Sequence, residues 1–81
     1  MKTKPISPKH KIQLETLGLF IKNIRLLEEN LSQLELSQQL NLHQNTIQRI
    51  EKGANTTLIT IFEIAEFFNT TPAELMSIIE E

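Results

Sequence analysis

Along the chain, apolar residues recur every three or four positions, and no stretch alternates with a period of two. From about Lys9, the residues Leu14, Leu17, Ile21, Ile24 and Leu27 mark one face of an amphipathic helix, widened by Phe20 and Leu26. Ser32-Gln33-Leu34-Glu35 has the spacing of a capping box, in which a serine hydroxyl and a glutamate carboxylate close the first free amides of a helix. The short helix that follows points Leu36 and Leu40 inward. It ends near Asn41, a residue type that tolerates the left-handed conformation of a tight turn.

A third helix starts just after Leu42, capped by His43 or Asn45, and Gly53 ends it. "ANTT" reads as a loop of turn formers. Thr57 caps a fourth helix running to about Phe68, with Ile61, Ile64, Ala65 and Phe68 inward. Thr71, Pro72 and Glu74 open a fifth with a second capping box. Pro5 and Pro8 set residues 1–8 apart as an extended arm, because proline disfavours helix at the residue before it. The prediction is an all-α chain, a compact five-helix bundle over residues 9–81 behind the arm.

Plotting residues 43–52 at about 100° per residue separates two faces of the third helix. Ile47 and Ile50 fall together, with His43 and Thr46 nearby, while Gln44, Asn45, Gln48, Arg49 and Lys52 gather opposite. Side-chain amides offer a donor and an acceptor in one plane, which matches the N6/N7 edge of adenine, and arginine matches O6/N7 of guanine. A helix that merely faces water more usually carries Glu and Lys pairs. Two short helices joined by a tight turn, the second showing such a face, have the form of a helix-turn-helix, here at about residues 32–52.

Charge first argues against this reading, then refines it. The formal net charge is −2, yet residues 1–25 hold six of the eight Lys and Arg against the single acid Glu15. Residues 26–81 hold Arg49 and Lys52 against nine glutamates. A basic leading segment therefore precedes an acidic remainder, and the arm is a candidate phosphate contact.

With 81 residues and 40% hydrophobic positions, the chain suits one small globular domain. Cysteine is absent, which excludes a disulfide framework and a thiolate zinc site and fits a cytoplasmic setting. No apolar run approaches the roughly 18–20 residues of a membrane span, and no secretory signal pattern opens the chain. Without aspartate, cysteine or a glycine-rich phosphate loop, and with His10 and His43 as the only histidines, no catalytic or metal-binding constellation stands out. Neither an enzyme nor a cofactor is expected.

The run "LSQLELSQQLNLHQNTIQRIEKG" and the continuation "TLITIFEIAEFFNTTPAEL" resemble the lambda-repressor-like, or Cro/XRE-type, family of helix-turn-helix DNA-binding domains. The resemblance covers roughly residues 17–78. It rests on an L-S-Q-x-x-L opening, an I-x-x-I-E-x-G ending and later I-A and P-x-E-L elements. It implies a sequence-specific regulator of transcription, a repressor or small controller protein, bound as a homodimer to double-stranded DNA at a roughly palindromic operator. It also implies roles for particular residues. Gln44 would read a base, steadied by Gln33, which also holds a phosphate; Asn45, Gln48 and Arg49 would read bases beside it. Lys52 and Asn55 would touch phosphate, and Glu51 would pair with Arg25, holding that arginine near a phosphate.

Departures from the family pattern fall at Ser37, where alanine is usual, at Asn41 for glycine, and at His43 for a serine or threonine cap. The first helix is one residue longer before Leu31, which bears on the register of Arg25. At the end of the fourth helix and in the fifth, Phe67, Leu75, Met76, Ile78 and Ile79 offer more apolar surface than a small core requires. Phe67, Met76, Ile78 and Ile79 are accordingly candidates for a dimer interface. The competing class is a protein-interaction or antitoxin-like helical module with weak or no DNA binding, which the acidic remainder favours.

Overall fold

The computed structural model describes residues 5–79. Its helices are α1 (Pro8–Leu27), α2 (Gln33–Gln39), α3 (Gln44–Glu51), α4 (Leu58–Phe67) and α5 (Pro72–Met76), followed by a 3₁₀ turn over Ser77–Ile79. Among the described residues there is no strand, and the fold is all-α.

Each helix starts where a side chain caps it. Ser7 accepts the amide of His10 at 3.2 Å, and Pro8 takes the first helical position, where its missing N–H costs nothing. The predicted arm therefore ends one residue earlier than expected, and its residues 1–4 lie outside the described residues. At α2 both halves of the capping box are made: Glu35 N–H to Ser32 Oγ at 3.0 Å, and Ser32 N–H to Glu35 Oε1 at 2.8 Å. Thr57 and Thr71 cap α4 and α5. The second expected box is only half made. The Glu74 carboxylate accepts the hydroxyls of Thr70 and Thr71 instead of reaching the Thr71 amide, because two hydroxyls stand beside it.

Three of the helix ends share one chemistry. Asn41, Gly53 and Asn69 take positive φ of 56°, 94° and 58° just after α2, α3 and α4. The next amide in each case folds back to a carbonyl five residues earlier: Leu42 to Ser37, Ala54 to Arg49, Thr70 to Ala65. Asparagine serves where glycine is commoner because its short polar side chain tolerates this conformation.

The core joins Leu17, Ile21 and Ile24 of α1 to Ile50 of α3, Ile61, Ile64 and Ala65 of α4, and Leu75 of α5. Phe20, Leu40, Phe68, Met76 and Ile79 pack around it, half-buried. Leu27, expected inside, is 82% exposed. Stepping by threes from Ile21 drifts backward around a helix of about 3.6 residues per turn, so by Leu27 the side chain has left the core face. Leu26, expected to widen that face, is exposed as well, because five residues past Ile21 place it about 140° away around the helix.

Gly18 sets how α3 meets α1. A Cβ there would fall on the carbonyl oxygen of Ile50 and within 2.9 Å of the Glu51 carbonyl carbon, so the α1 backbone lies directly against the last turn of α3. At Gly53 a Cβ would come within 2.6 Å of Glu15 Cγ, again closing α1 onto the end of α3. Both glycines serve the same crossing.

Candidate nucleic-acid interface

α3 divides as its pattern predicts. Ile47 and Ile50 are buried, whereas Gln44, Asn45, Arg49 and Lys52 are exposed and Gln48 is half-buried. His43 caps the helix: its Nδ1 accepts the Asn45 amide at 3.2 Å, so the ring does the work of the expected serine or threonine. The exposed row is thus amide, amide, guanidinium and ammonium on one short rigid element. Asn55 is exposed in the loop after α3, its Oδ1 accepting the Thr56 amide at 2.9 Å. With Arg49, Thr56 and Thr57 it lines a shallow cleft of about 350 Å³ beside α3.

Behind that row lies a buried ion pair. Arg25 Nε donates to Glu51 Oε2 at 2.7 Å and Nη2 to Oε1 at 2.9 Å, a two-pronged contact that fixes both side chains. Arg25 Nη1 donates to the Leu31 carbonyl at 2.7 Å, and Gln33 Nε2 donates to Glu51 Oε1 at 2.9 Å. Among the described residues no buried side-chain polar atom is left without a partner. The Arg25–Glu51 pair therefore ties together α1, the α1–α2 connection, the start of α2 and the end of α3.

Two residues sit differently from expectation. Arg25 is 5% exposed, and its Nε, Nη1 and Nη2 all donate to groups inside the fold. Gln33 turns its amide nitrogen to Glu51, and no hydrogen bond joins it to Gln44 among the described residues. The buried, doubly accepting carboxylate is the stronger acceptor, and an amide nitrogen still has a second hydrogen to offer. Ser37, in the position usual for alanine, is buried and satisfies its hydroxyl on the Leu34 carbonyl at 2.7 Å, so the α2–α3 packing is kept.

Helix, tight turn and amide-faced helix, braced by this pair, form the arrangement that a helix-turn-helix family model matches over residues 21–75. The chain belongs to the Cro/C1-type helix-turn-helix family. No curated protein and no solved structure shows a significant match. The family is one of DNA-binding regulators of transcription, not typically of enzymes, and its partner is double-stranded DNA. Its match opens at Ile21 within α1 and closes at Leu75 in α5, so it contains Arg25, Glu51 and the whole exposed row. Among the described residues no helix is long and apolar enough to cross a membrane.

Gly18 lies outside the matched segment and was not singled out from the sequence, although a glycine inside a helical pattern is a signal of close backbone approach. Of the residues expected at a dimer interface, Ile78 is exposed. Phe67, Met76 and Ile79 are half-buried, Phe67 edge-on to Phe68 with ring centres 5.2 Å apart. Met76 and Ile79 spend part of their surface on the core.

Proposed function

We propose that this domain regulates transcription, as a repressor or small controller protein, by laying α3 in the major groove of specific DNA sites. The observation that carries this reading is the exposed row Gln44, Asn45 and Arg49, with Gln48 at its edge, on a helix held from behind by the Arg25–Glu51 pair. Such groups match base edges in plane, and a rigid helix keeps them in register. Phosphate contacts fall to Lys52, to Asn55, to the second amide hydrogen of Gln33 and to the basic arm. Arg25 positions Glu51 and Gln33 instead of touching DNA. Two copies on a roughly palindromic operator complete the reading, as half-sites spaced by about one helical turn require.

A titration with duplex DNA of random sequence across salt concentrations tests it. Weak binding that falls steeply with salt is expected, because each neutralised phosphate releases counterions. Binding to no duplex at any salt would leave the acidic remainder to be explained by a protein-interaction role.

A further inference from the structure

The outward side of α1 carries Ile12, Leu19 and Leu26 at 62%, 55% and 44% exposure. These recur every seven residues along the 20-residue helix, on the side roughly opposite Leu17, Ile21 and Ile24. One exposed apolar side chain needs no explanation. Three in a line, one per heptad with polar Glu15, Thr16, Lys22 and Asn23 between them, form a narrow apolar stripe against which a second helix can pack.

The residues along the seam say what covers it. Glu15 and Lys22 follow one flank, and Thr16 and Asn23 the other. Let two copies of α1 run antiparallel about a twofold at Leu19. Leu19 then meets its own copy, Ile12 meets Leu26, and Glu15 of each copy falls beside Lys22 of the other. A parallel pairing would set both charges against the Thr16–Asn23 flank and join none. The other large exposed apolar face is Leu58, Ile59 and Phe62 on α4, a helix with Glu63 and Glu66 and no cation. Self-pairing there would bring acids together.

We propose that the outward seam of α1 is a self-association surface whose occupant is a second copy of this chain, docked antiparallel through Ile12, Leu19 and Leu26. This deepens the homodimer part of the functional reading, but its test needs no DNA.

Sedimentation of the full chain over a concentration series, without DNA, should show a reversible monomer–dimer equilibrium. Leu19→Lys should weaken the dimer on the order of 100-fold or more, by burying an amine in an apolar seam, with the helical circular dichroism unchanged because the site is exposed. Glu15→Lys alone should weaken it roughly threefold to tenfold, as expected for exposed charge pairs. Adding Lys22→Glu should restore it. A wild-type chain that stays monomeric throughout would overturn the proposal. So would a dimer indifferent to Leu19→Lys but lost with Phe62→Lys, or a double charge reversal that restores nothing. A dimer that binds no DNA would keep this surface and remove the DNA-reading role.

Discussion

The two faces of α3 put their polar groups to opposite uses. On the inner face Glu51 is buried and bound to Arg25 and Gln33, next to Ile47 and Ile50. On the outer face Gln44 and Arg49 are exposed, and neither side chain makes a hydrogen bond among the described residues. The inner polar groups fix where the helix lies; the outer ones are free to meet another molecule. Such a division separates the consequences of mutation: changes behind the helix cost stability, and changes in front of it cost recognition.

The largest effect is expected at Glu51. Glu51→Ala leaves the Arg25 guanidinium buried and unpaired, at a cost of about 3–5 kcal/mol, readable in urea unfolding. Gly18→Ala comes next, at roughly 1–3 kcal/mol, because the added methyl pushes α1 off the Ile50 carbonyl and tilts α3. Arg49→Ala should leave the melting temperature within error and remove about 1–3 kcal/mol of discrimination at one base position, measured by competition binding. A loss of stability there as large as at Glu51 would erase the distinction between the faces.

The smallest effect is at the start of α2. The Ser32 amide, and then its hydroxyl, hold the Glu35 carboxyl below its ordinary value of 4.5. A carboxyl lowered in the folded state adds stability above its unfolded value, and this is lost as pH falls through the folded value. Glu35→Gln keeps the capping geometry but cannot titrate. Thermal melts should show a small wild-type advantage at neutral pH that fades in acid.

Much of the inner frame was legible in the sequence because its causes are local. Ser32 with Glu35, Thr57 before an apolar run, and Asn41 and Gly53 after one carry their chemistry within a few residues, and the helix period follows from spacing alone. The Arg25–Glu51 contact spans 26 residues and came through family resemblance, not through any local pattern. What escaped depends on three-dimensional competition. Gln33 had a plausible partner in Gln44, but the buried carboxylate won it. Leu27 satisfied a spacing rule whose small rotational error had accumulated into full exposure. Gly18 matters only because another backbone lies against it. The outer face was legible as a set of residues, since exposure of polar side chains opposite a buried stripe follows from the same spacing.

The central claim is that the free outer row of α3 reads bases while the inner network only holds the helix. Selection of bound sites from random duplex DNA, run in parallel on the wild-type chain and on Gln44→Ala, tests it most directly. The account predicts an enriched two-part motif for the wild type, and for the variant the same motif with preference relaxed at one position in each half. An identical motif from both chains, or none from either, would contradict it.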